Sequence, residues 1–153
     1  MVRAASEERL RNRAFDSKFI RIKNMFSGGE AQVLRQGDDI LIRAHGFDFM
    51  PGKSDIQPKN YVLLNKLKMG IELFPTARVL ISGHTDSSGR ELYNLKLSEA
   101  RAGAVEKFLV EVSGIGSERV SSIGRGELQP VVSNNTPEGK ATNRRVEILI
   151  KNS

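Results

Sequence analysis

Asp86 and Arg101 are the residues whose types and spacing most directly suggest chemistry. Gly83-His84-Thr85-Asp86-Ser87-Ser88-Gly89 follows the apolar run Val79-Leu80-Ile81. A carboxylate therefore stands just beyond the carboxyl end of a strand, where α/β sheets bind ligands. Arg101 comes fifteen residues later, in Asn94-Leu95-Lys96-Leu97-Ser98-Glu99-Ala100-Arg101-Ala102. Ser98 has the character of a helix N-cap, which would set Arg101 at the third helical position. A capping box takes Glu or Gln there, and a cation in the first turn opposes the helix dipole. A local rule broken in this way points to a site. Carboxylates accept hydrogen bonds from ammonium groups, and a guanidinium grips a carboxylate with two, so the pair matches a zwitterion such as an amino acid. The plainer reading is that Arg101 pairs with Asp86 or Glu99 at the surface.

Other constellations carry less. His84, Asp86 and Ser87 are too close in sequence to be read as a triad, which is defined by spatial geometry. The chain has two histidines, His45 and His84, and no cysteine. A transition-metal site would need both histidines plus carboxylates, so no metal and no cofactor is expected. His84 reads as a hydrogen-bonded structural residue. Gly124-Arg125-Gly126-Glu127 begins like a dinucleotide fingerprint but lacks the third glycine. Asp38-Asp39 reads as a turn, without a calcium-loop pattern around it.

The elements that must position these residues follow from periodicity. Phe15, Phe19, Ile22 and Phe26 share one face of a helix over residues 6–26, ended by Ser27-Gly28-Gly29. That stripe packs against a neighbour, or the helix is a stalk to something upstream. Ala31–Ala44 predicts two strands around the turn Gly37-Asp38-Asp39, and 45–52 a loop. Pro58 opens a helix with Leu63, Leu67, Ile71 and Phe74 inward, stopped by Pro75. A strand at 79–81 and a helix over Leu95–Val112 follow, with Val105, Phe108, Leu109 and Val112 inward. Val120–Ile123 predicts a further strand, and the Gly-, Pro- and Asn-rich stretch from Gly124 to Thr142 a long loop. The last strand is Arg144–Ile150, with Arg144, Val146, Ile148 and Ile150 on the core side. Alternating strands and helices predict an α/β (α+β sandwich) domain of βαβ-type units, helices packed on a small mixed sheet. The expected division is a helix or linker over 1–30 and a domain over 31–153.

The chain of 153 residues suits one domain with a short extension. Its core must be aliphatic, with two Tyr, seven Phe and no Trp. Absence of cysteine excludes a disulfide framework, a thiolate metal site and a cysteine nucleophile. No run approaches the length of a spanning helix, and the start has no apolar signal-peptide region. An exported protein of this kind would have lost its leader or been cut from a longer chain. The net charge is +6, and residues 1–30 hold seven cations, Arg3 among them, and four anions. Such a run reads as a solvated helix face. Nucleic-acid binding is the sharper alternative, lowered because no aromatic residues interleave with the cations.

Gly83-His84-Thr85-Asp86, Asn94, Leu97-Ser98-x-x-Arg101-Ala102, Gly124-x-Gly126-Glu127-x-x-Pro130-Val131, the adjacent Asn135-Thr136, and Asn143-Arg144-Arg145-Val146-Glu147 together resemble the OmpA-like C-terminal domain. That domain also occurs in peptidoglycan-associated lipoproteins and flagellar stator proteins. The resemblance spans about residues 38–151. It implies a periplasmic, noncatalytic module that binds peptidoglycan through the meso-diaminopimelate of the stem peptide. Asp86 and Arg101 match the family positions that hold this diamino acid. Thr85, Asn94 and Leu97 match positions that line or shape the pocket, and Arg144 falls on the family's Asn-Arg-Arg. Phe47-Asp48-Phe49 is the counterpart of a Phe-x-Phe strand, followed here by Met50-Pro51-Gly52-Lys53 where many relatives carry an Asp and a small residue. The implied role is to tether an outer-membrane protein or lipoprotein, membrane-attached through an upstream segment and able to form oligomers. The periplasmic domain of a stator is the alternative, and a wall-hydrolysing enzyme a remote one.

Overall fold

The computed structural model describes residues 2–153, with side chains from Ala5 onward; the side chain of Arg3 lies outside the described residues. Helix α1 runs over Val2–Met25, strands β1 and β2 over Ala31–Gln36 and Asp39–Ala44, and helix α2 over Tyr61–Glu72. Strand β3 is Arg78–His84, helix α3 Glu91–Glu111, strand β4 Val120–Gly126, helix α4 Pro137–Asn143 and strand β5 Arg145–Lys151. The sheet order is β1-β2-β5-β3-β4, with β3 and β4 parallel and the other pairs antiparallel. This is the expected mixed α/β architecture, with β3-α3-β4 as its βαβ unit.

Register explains the core. Val33, Ile42, Ile148 and Ile81 stand side by side across four strands. All are buried, and they belong to one cluster with Leu64 and Leu67 of α2 and Val105 and Leu109 of α3. Each such aliphatic side chain contributes about 1.5–3 kcal/mol by leaving water. The stripe on α1 packs here too. Phe15 and Ile22 are 7% and 0% exposed, and Phe19 and Phe26 lie against the cluster. The Glu30 carboxylate accepts from Lys66 of α2 at 2.6 Å, fastening the turn after α1.

Three local expectations are corrected. Helix α3 begins at Glu91, so Ser98 is interior rather than an N-cap, and its hydroxyl donates to the Leu95 carbonyl at 2.7 Å. Val112 is 68% exposed rather than inward, because it caps α3 beyond its last buried residue, Leu109. The stretch 124–142 is not all loop: Thr136 caps α4, its side chain accepting from the Gly139 amide at 3.0 Å, with Pro137 in the first turn. The loop expected over 45–52 does form, and it includes Phe47-Asp48-Phe49, the counterpart of the family's Phe-x-Phe strand, with Asp48 at φ 45°.

Candidate functional site

Close packing of α3 on β3 and β4 sets the site. A Cβ on Gly83 would collide with the Ser98 carbonyl, and one on Gly124 with the Ser98 hydroxyl and the Glu99 amide. Ser98 reaches back across this contact, accepting from the Gly126 amide at 2.9 Å. The helix is thereby held against the strand whose end carries Thr85 and Asp86.

A cleft of about 810 Å³ opens at that end. All six residues named from the sequence line it: Thr85, Asp86, Asn94, Leu97, Arg101 and Arg144. Asp86 is 7% exposed. Its Oδ1 accepts from the Ser88 amide at 2.7 Å and its Oδ2 from Arg144 at 2.6 Å. Burial pushes this carboxyl up, but the Ser88 amide and the Arg144 guanidinium outweigh burial and hold it below the usual carboxylate range. Asp86 is therefore an anion with acceptor capacity left over, since a carboxylate offers about four lone-pair sites.

Arg101 is 9% exposed and lies in the middle of α3. Its Nε donates to the Lys53 carbonyl at 2.9 Å and its Nη2 to the Met50 carbonyl at 3.3 Å, with the guanidinium 5.0 Å from the Phe49 ring. Among the described residues no carboxylate lies within ion-pair distance of it, so the surface pairing with Asp86 or Glu99 is not what forms. Burial lowers its pKa from the ordinary guanidinium value. Met50-Pro51-Gly52-Lys53, where the chain departs from the family pattern, thus acts on Arg101 through its main chain.

Thr85 donates its amide to the Gly126 carbonyl at 2.8 Å, while its buried hydroxyl has no hydrogen-bond partner. Asn94 shapes the loop: its Nδ2 donates to the Ser88 carbonyl at 2.7 Å and reaches the Asp86 carbonyl at 3.4 Å. Asn143, Arg144 and Arg145 divide three tasks. Asn143 clamps the preceding loop, its Oδ1 accepting from the Val131 amide at 2.8 Å and its Nδ2 donating to the Val132 carbonyl at 2.9 Å. Arg144 is a further correction. Strand alternation turned it inward, but it caps α4 outside β5, with a side chain 49% exposed and directed to Asp86. The buried arginine is Arg145, which bonds Glu147 at 2.7 Å. Burial pushes Glu147 up, yet Arg145 holds it below its ordinary value. Beside it, burial and then the charge of Arg145 drop His84 to about 4, so the ring is neutral; its Nε2 meets the Ser82 hydroxyl at 3.2 Å. His84 also lines the cleft, and its Nδ1 is buried without a hydrogen-bond partner, so the hydrogen-bonded structural role expected of it is met at Nε2 alone. The sequence reading missed Tyr93 as a lining residue, and Lys53 and Met50 as acceptors, since carbonyl contacts leave no trace in side-chain type.

A mixed five-stranded sheet with a charged cleft beyond the carboxyl end of an inner strand defines a recognisable class of domain. The chain belongs to the OmpA family, whose model matches residues 48–144. It is 44% identical to outer membrane porin F of Pseudomonas aeruginosa over 79% of this chain and 33% of that protein. It is 42% identical to the peptidoglycan-binding protein ArfA of Mycobacterium tuberculosis over 61% of this chain and 28% of that one. Among solved structures, the cell wall anchor of the type VI secretion system from Pseudomonas aeruginosa superposes with a TM-score of 0.77 at 27% identity, covering 87% of this chain and 96% of that one. The chain spans only part of the length of these two longer relatives.

Proposed function

We propose that this domain binds peptidoglycan without cleaving it, holding the meso-diaminopimelate of the stem peptide between Asp86 and Arg101, and so anchors an outer-membrane protein to the cell wall from the periplasm. The observation that carries the reading is a buried anion and a buried cation that line one cleft without pairing with each other. Asp86 keeps acceptor sites for an ammonium. Arg101 is fixed by main-chain carbonyls and by Phe49, and a carboxylate would be its first anionic partner. Thr85 offers a buried hydroxyl that a ligand would satisfy. The named properties of ArfA, porin F and the secretion-system anchor support the peptidoglycan, outer-membrane and anchoring parts of this reading.

The test is sedimentation with purified sacculi, followed by calorimetry with a diaminopimelate-containing stem fragment. Wild-type protein should co-sediment and release no soluble muropeptides. Asp86→Ala or Arg101→Ala should cost about 2–5 kcal/mol, roughly 30-fold to several thousand-fold in affinity, as removal of one side of a desolvated charge pair does. Near-wild-type affinity in both variants would place the ligand elsewhere, and release of muropeptides would make the protein an enzyme.

A further inference from the structure

A second hollow of about 730 Å³ lies between the end of α1, β1 and α4. Gly29, His45 and Ala141 line both this hollow and the cleft that holds Asp86. The two hollows therefore adjoin at these three residues, His45 among them. Each lobe falls within the roughly 300–1,000 Å³ usual for ligand sites.

The second lobe has its own chemistry. Phe26, Val33 and Leu34 give it an apolar floor, Gln32 and Thr142 add polar groups, and Lys23 is exposed at its edge. Lys23 is a cation, and no carboxylate is among the lining residues. At the seam, His45 Nδ1 is buried without a hydrogen-bond partner. Lys23, Phe26 and residues 28–34 all precede the family match, which begins at residue 48.

Resting on the reading above, we propose that this lobe is a second subsite for the same ligand. It takes the anionic, amide-bearing part of the stem that adjoins the diamino acid. A glutamyl residue precedes the diamino acid in such a stem and carries a free carboxylate in stems that are not amidated. The carboxylate falls to Lys23, and the amide and methyl groups beside it fall to His45 and the apolar floor. The groove thus reads a length of stem rather than one residue, and α1 supplies part of the reading surface.

The test compares free meso-diaminopimelate with the tripeptide L-alanyl-γ-D-glutamyl-meso-diaminopimelate by calorimetry. Three proteins are used: the full chain, Lys23→Gln and Gly28→Trp. Gly28 lines the lobe and has open space where a Cβ would stand, so an indole can be added at its rim without displacing the backbone. The wild-type chain should bind the tripeptide more tightly than the free diamino acid. Lys23→Gln should lose about threefold of that gain, the measure of an exposed ion pair, and Gly28→Trp should lose most of it. Both variants should bind free diaminopimelate as the wild type does. Equal affinity of the wild type for the two ligands, or an undiminished gain in both variants, overturns the second subsite while leaving the Asp86–Arg101 site standing. Failure of the wild type to bind either ligand removes that site and the subsite together.

Discussion

Asp86 keeps its charge in a buried position because the Ser88 amide and Arg144 bond its two oxygens. Without Arg144, burial would weigh more heavily, so the Asp86 carboxyl should titrate higher in Arg144→Ala than in the wild type, as read by carbon NMR across the acidic range. The sign for stability follows. The folded value lies below the unfolded one, so the stabilisation is full above the ordinary carboxylate range and is lost as pH falls through the lowered folded value. Because the Arg144 side chain is half exposed, Arg144→Ala should cost only about 0.5–1 kcal/mol at neutral pH. Thr85→Val tests the opposite case. The hydroxyl is buried and unpartnered, so its removal should leave thermal stability unchanged or raised while weakening binding of the stem fragment. Arg101→Lys should bind poorly although charge is kept, since an ammonium lacks the two-pronged geometry. Asp86 and Arg101 were legible because charged side chains stood near the end of a strand and in the following helix. The carbonyls that fix Arg101 were not, since any residue can supply one.

Helices and strands were legible where one face is buried and the pattern is long, and illegible where contact is made by backbone. The first turn of α3 holds Leu92 and Tyr93 at 63% and 52% exposure, so it carries no inward stripe, and its start was read too late. Ser98 misled because serine suits a cap, whereas here its hydroxyl donates back along the helix to Leu95 and accepts from Gly126. Helix α4 spans seven residues, too few for periodicity, and only Thr136-Pro137 announces it. The glycines carry the packing that places the site. Gly124→Ala would drive a methyl into Ser98 and Glu99 of α3, a backbone contact that cannot yield cheaply. Overpacking of this kind costs about 1–3 kcal/mol. At roughly 2–4 °C per kcal/mol for a chain of this size, differential scanning calorimetry should show a lowered Tm. Binding of the stem fragment should weaken as well, because the helix that carries Arg101 shifts against the strand that leads to Asp86.

At the scale of the whole molecule, α1 divides into two parts of different physical character. Residues 7–14 are all exposed, whereas Phe15 and Ile22 are buried in the core that β1, β2 and α2 share. The basic, amphipathic pattern left two readings open, packing against a neighbour or a projecting stalk. The structure gives packing for the second half and solvent for the described part of the first. Truncation should follow that division. A chain starting at Ala14 removes described side chains that are exposed or, at Ser6, half-buried, and none of the core cluster, so its Tm should stay close to that of the wild type. A chain starting at Gly28 strips Phe15 and Ile22 from the core, and losing even one such side chain costs about 2–5 kcal/mol. Its Tm should therefore fall steeply. A point variant separates the stability effect from loss of the groove's edge. Ile22→Ala leaves Lys23 and Phe26 in the chain, so under saturating conditions and below its Tm it should bind the stem tripeptide as the wild type does. Equal Tm for both truncated chains would mean that α1 does not belong to the folded core in solution.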